Sequence, residues 1–259
     1  MKRLYEKNEL YFALLWIAAY VVVMNIALQF CGGFDNLETK TVAQMLVPVG
    51  CILFLSVFAT VWIIRNDLTS RYGFGRLKGS RANKGYLWYI PLIVMSCINL
   101  INGMELTAPV LVALLMMLNM AAAGYVEEII FRGFLFRAMQ KENLNSAIIV
   151  SAVTFGVGHI VNLANTADTL GVILQVCYAI AIGFLYTVIV YKSCSLWPCI
   201  LSHIFVNASS VIAREDGMFT KMLTDVFGQN ALVLEQIISA VLIILAASSY
   251  ALWIWHKAE

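Results

Sequence analysis

Two adjacent glutamates, Glu127 and Glu128, stand four residues before Arg132 in an otherwise apolar run. An ionisable side chain inside a membrane span costs roughly 2.5–3.5 kcal/mol on insertion scales, so such residues are functional candidates by default. Glu128 and Arg132 share a helical face, with the acid on the N-terminal side, the better order for an ion pair. Glu127 lies about 100° further round the helix. The spacing predicts that Glu128 and Arg132 neutralise each other and that Glu127 stays available as a general base.

Two further segments carry polar groups on apolar faces. Phe155 and His159 are four residues apart, as are His203 and Asn207. A carboxylate with an imidazole can hold and deprotonate a water, and His with Asn can donate to a developing oxyanion. That is the equipment of peptide hydrolysis. The same groups admit a second chemistry. Glu127, His159 and His203 would form a two-histidine, one-carboxylate set for zinc with an open water position. No HExxH spacing favours the metal, so the cofactor stays open. A lone His or Asn in a span more often bonds a neighbouring helix. Asn162, three residues beyond His159, is a candidate to orient it. Glu235 is expected at the outer interface, outside the site.

The elements that must position these groups are membrane helices. Of 259 residues, 61% are hydrophobic and 12% charged, against about 45–50% and 25% in soluble domains. That balance excludes soluble globular, disordered and fibrous classes. Apolar windows at about 10–31, 42–64, 86–103, 107–136, 146–164, 170–191, 196–213 and 231–255 predict an all-α bundle of about eight transmembrane helices, forming one integral membrane domain over 1–259. The first window is too long for a cleavable signal and reads as a retained span. The fourth is too long for a simple crossing, so a tilt or a break is expected. The six cysteines form no CxxC pair and read as small buried hydrophobes. A net charge of +2 without a basic groove gives no sign of nucleic-acid binding.

With both termini cytoplasmic, thirteen of the 17 Lys and Arg fall on the cytoplasmic side and three (Lys40, Arg214, Lys221) outside, with Arg132 inside the fourth helix. That split follows the positive-inside rule. The basic 65–84 loop reads as part of it. Counting residues at about 1.5 Å each puts Glu127 and His203 about 15 and 10 Å from the cytoplasmic ends, and His159 about 20 Å. A shared site in the cytoplasmic half or at the midplane is expected.

The ordered set EExxxR (Glu127, Glu128, Arg132), FxxxH (Phe155, His159) and HxxxN (His203, Asn207) resembles the CAAX protease and bacteriocin-processing family, also called CPBP or Abi. These are intramembrane endopeptidases related to the type II CAAX prenyl endopeptidase. The motif core spans about 120–210. The resemblance implies that Glu127 and His159 activate water, His203 and Asn207 polarise the scissile carbonyl, and Glu128 and Arg132 hold the site together, with Phe155 in support. It implies a peptide or protein substrate, with the charge asymmetry expected to bring it as a membrane-associated or cytoplasmic-side segment, and, through the family, a bacterial plasma membrane. Two other readings stand beside it. One is a non-proteolytic scaffold or bacteriocin-immunity protein. The other is a small transporter, although no inverted repeat supports it.

Overall fold

The computed structural model describes residues 1–33, 37–75, 89–164, 166, 168–214 and 217–257. Most of the basic 65–84 loop, from residue 76 onward, lies outside the described residues. The described chain is helical, apart from one isolated bridge between Met104 and Ala213. A short α1 (Lys2–Lys7) leads into α2 (Glu9–Cys31), which is followed by α3 (Val42–Arg65), α4 (Ile90–Ser96) and α5 (Val110–Met139). Then come α6 (Leu144–Gly158), α7 (Thr169–Ser193), α8 (Trp197–Ser210), α9 (Met218–Phe227) and α10 (Ala231–Lys257). Among the described residues, six helices are long and apolar enough to cross a membrane: α2, α3, α5, α6 with its 3₁₀ extension to Ala164, α7 and α10.

The other two expected spans are shorter than their apolar windows. Among the described residues, the 86–103 window holds the seven-residue α4, which stops at Cys97 and passes through a 3₁₀ turn to Gly103 at φ 94°. The 196–213 window holds the 14-residue α8, about 21 Å long against a hydrocarbon core of about 30 Å. Its N-terminus is pinned where Leu196 N–H donates to the Gly73 carbonyl at 3.1 Å. Past its end, Ile212 accepts from Glu105 N–H at 2.9 Å. Hydropathy registers such windows as spans because it does not see where local hydrogen bonds end a helix.

Four of the long helices (α2, α3, α6 and α7) begin on side-chain caps that satisfy otherwise orphaned N–H groups. Asn8 accepts from Tyr11 N–H (2.9 Å), Asn143 from Ser146 N–H (2.9 Å) and Asp168 from Gly171 N–H (2.8 Å). Thr41 and Gln44 form a reciprocal capping box at the start of α3. Gly32, at φ 68°, ends α2 in the left-handed region that glycine tolerates.

Contacts between loops sort the bundle into two ends. At the end carrying the N-terminus, Glu9 pairs with Arg71 and with Lys141 (2.9 Å), and Ser195 donates to the Gly73 carbonyl (3.3 Å). At the opposite end, Arg214 N–H donates to Gly103, Asn102 to Glu235, and Gln236 to Asp168. Of the described Lys and Arg, only Lys40, Arg214 and Lys221 lie towards that far end.

The expected disturbance of the fourth window is a π-helical stretch, Ile129–Leu135, inside α5. All seven of its residues are buried. Wide turns of this kind concentrate at functional sites. Two anchors hold it. Ser151 of α6 donates to the Phe131 carbonyl at 3.0 Å. Phe134 packs into an aromatic group with Phe12 (5.1 Å), Trp62 (5.8 Å) and Tyr72 (5.2 Å). Burial pushes the Tyr72 hydroxyl well above its ordinary pKa, so it stays neutral there.

Candidate active site

The π-helical stretch turns Arg132 inward, where it is fully buried with Glu128. Arg132 Nη1 donates to Glu128 Oε1 at 2.9 Å. From α8, His203 brings Nδ1 to the same oxygen at 2.8 Å. A carboxylate oxygen can only accept from these partners, so Nδ1 carries a hydrogen, and Nε2 can donate only when the ring is protonated on both nitrogens. The guanidinium lies 4.1 Å from the Phe155 ring centroid and 5.5 Å from that of Tyr186. Those rings face a cation whose Nε and Nη2 find no hydrogen-bond partner among the described residues. Glu128, Arg132 and His203 form one buried knot.

Glu127 points elsewhere. Tyr20 of α2 donates its hydroxyl to Glu127 Oε1. The other oxygen, Oε2, lies 3.5 Å from His203 Nε2. His203 therefore faces both glutamates, one through each ring nitrogen. Close approach of α5 and α8 makes this geometry possible. A Cβ at Gly124 would stand 3.2 Å from His203 backbone and ring atoms.

Phe155 is the hinge of the arrangement. Its ring meets His159 at 5.1 Å and His203 at 5.6 Å, both edge-on, as well as Arg132. His159 stands where α6 passes into its 3₁₀ extension, with Nδ1 3.1 Å from the Phe155 carbonyl. A carbonyl only accepts, so Nδ1 donates and Nε2 is left as the acceptor of a neutral ring. Asn207 uses one amide hydrogen on the Met120 carbonyl at 3.2 Å.

Glu127, His159 and Asn207 line one cavity of about 1150 Å³, together with Tyr20 and Asn119. His203 sits behind Glu127, 7% exposed, and is not in the wall. The cavity starts near the middle of α2 and α5 and runs to exposed Asp168 and Gln236. Its open end is thus the one away from the N-terminus.

The seven motif residues thus fall into two groups. Glu128, Arg132, Phe155 and His203 are linked by direct contacts and Glu127 joins them through His203, while His159 touches Phe155 and shares the cavity wall with Glu127 and Asn207. Among the described residues, no three His, Cys, Asp or Glu side chains stand close enough together to hold a metal ion. The zinc set of Glu127, His159 and His203 does not fit, because these three side chains do not converge on one point within reach of an ion.

Two smaller expectations are also corrected. Asn162 donates to Gln175 at 2.9 Å rather than orienting His159. Glu235 is in the cavity wall, accepting from Asn102 and Thr220 at 3.0 Å each. Sequence reasoning missed Tyr20, Asn119 and Tyr186. A lone Tyr or Asn among apolar residues gives little to single it out.

No curated protein and no solved structure matches the chain. Residues 109–209, the stretch that carries all three motifs, match the family model for type II CAAX prenyl endopeptidase Rce1-like proteins. Through that segment this membrane protein is similar to the CAAX-type intramembrane endopeptidases, in agreement with the resemblance drawn from its motifs.

Proposed function

We propose that the protein hydrolyses a peptide bond in the cavity, using water activated by Glu127. The observation that carries this reading is the setting of Glu127, whose carboxylate is aimed at the cavity by Tyr20 while the adjacent Glu128 is consumed by Arg132 and His203. Water held between Glu127 and His159 Nε2 attacks the scissile carbonyl carbon, and Glu127 takes its proton. Asn207 keeps one amide hydrogen for the oxyanion that forms. When the tetrahedral intermediate collapses, the C–N bond breaks and the proton on Glu127 passes to the leaving amine. When its ring is protonated on both nitrogens, His203 pairs through Nε2 with Glu127 Oε2 and steadies the carboxylate through this exchange. No step requires a metal.

The positive-inside rule supports an orientation with both termini in the cytoplasm. The open end of the cavity then faces the outer surface of a plasma membrane, and substrate arrives from that side. The test compares new protein N-termini in membranes of cells expressing wild type or Glu127→Gln at matched abundance. Termini present only with wild type are expected. Identical sets from two folded proteins would move the reading to a non-proteolytic binding or immunity role.

A further inference from the structure

Asn119 lies in α5 two helical turns before Glu127, at the wall of the same cavity. It is 1% exposed, and neither its amide nitrogen nor its amide oxygen has a hydrogen-bond partner among the described residues. Other carboxamides of the cavity are engaged. Asn25 donates to the Val21 carbonyl (2.8 Å), Asn99 to Val206 (2.7 Å) and Asn162 to Gln175 (2.9 Å). Asn207 donates to the carbonyl of Met120, the residue next to Asn119. A buried carboxamide with all its capacity unused is costly to the free protein, and such exceptions call for a reason.

A carboxamide presents one acceptor and donors in a plane, the complement of a peptide unit. It can accept from a backbone N–H and donate to a backbone C=O. Eight residues of helix separate Asn119 from Glu127 by about 12 Å, which an extended peptide covers in about three to four residues. Asn119 also lies on the side of Glu127 towards the open end of the cavity, because α5 runs from that end.

We propose that Asn119 binds one backbone peptide unit of an extended substrate, three to four residues from the scissile bond and on the side of the cavity opening. This rests on the endopeptidase reading. It deepens that reading by making the substrate an unfolded segment held along its backbone.

The test uses the full-length protein in detergent and a synthetic peptide spanning the strongest cleavage site found by the comparison of wild type with Glu127→Gln. Asn119→Leu removes the unpaired polar group at similar volume, so its melting temperature is expected to equal or exceed that of wild type. Its KM is expected to rise about tenfold, the size of one lost hydrogen-bonding partner, with kcat held within about twofold. A peptide truncated to two residues on the opening side should be cut equally by wild type and variant. Should leucine prevent folding, Asn119→Ala supplies the same comparison. An unchanged KM on the long peptide in a folded variant overturns the role of Asn119 and leaves the endopeptidase reading intact. If wild type and Glu127→Gln yield the same termini, both fall together.

Discussion

Glu127 and Glu128 are neighbours in the chain and occupy opposite kinds of surroundings. Glu128 belongs to a knot in which an arginine and a histidine converge on one of its oxygens and no water reaches it. Glu127 stands at a cavity wall, held by a tyrosine hydroxyl on one oxygen and approached by His203 on the other. The knot is closed to water and held by its own ion pair and rings, which makes it a frame. The wall keeps a carboxylate oriented and reachable, as chemistry requires. His203 joins the two, so the frame sets where the reactive carboxylate points.

This division makes opposite demands on substitutions. Glu127→Gln preserves shape and the Tyr20 contact but removes the proton acceptor. Turnover should fall about a hundred- to ten-thousand-fold, the usual worth of a positioned general base. Thermal unfolding in detergent should stay close to wild type. A large loss of stability in Glu127→Gln would break the comparison, because it would make Glu127 part of the frame.

The converse is expected of Arg132→Leu. It leaves Glu128 charged and buried without its cation, at a cost of about 3–5 kcal/mol. Denaturant unfolding in micelles should show the loss before any assay does. The double replacement Glu128→Gln with Arg132→Met removes both charges and should recover much of that stability. If the double variant is no more stable than Arg132→Leu, the ion pair is not what holds the knot.

Gly124→Ala tests the join between the two regions. The added methyl meets His203 backbone and ring atoms at 3.2 Å, so α5 and α8 must part by a few tenths of an ångström. Overpacking of this kind costs about 1–3 kcal/mol. Because His203 moves with α8, turnover should fall further than stability alone explains. Equal activity per folded molecule in Gly124→Ala and wild type would uncouple the frame from the wall.

How much of this was legible in the chain follows from the cost of charge in a membrane. Glu127, Glu128 and Arg132 announce themselves because apolar spans rarely carry such groups, and their spacing already suggests which glutamate is paired. The histidines and Asn207 are visible for a similar reason. The π-helical turn is not, since a four-residue spacing suits either helix and the deciding contacts, from Ser151 and Phe134, come from other elements. The direction of the cavity was hidden too. Hydropathy windows do not report which end of a bundle stays open, and they cannot tell a short apolar helix such as α4 or α8 from a span. Tyr20 and Asn119 were unreadable because their significance lies in what they touch or fail to touch.

Tyr20→Phe is the mildest of these tests and the most specific to the wall. It removes one hydroxyl and keeps the ring, so packing between α2 and α5 should persist and stability should change by less than about 1 kcal/mol. What is lost is the donor to Glu127 Oε1. A hydrogen bond to a charged group contributes about 1.5–3 kcal/mol, but Glu127 keeps His203 on its other oxygen and gains access to cavity water. The surviving effect on turnover should therefore sit near the lower bound, about tenfold. It should appear in kcat, since Tyr20 orients the base rather than the substrate. A change confined to KM would move Tyr20 into substrate binding, and the Glu127 carboxylate would then owe its aim to the knot behind it through His203 alone.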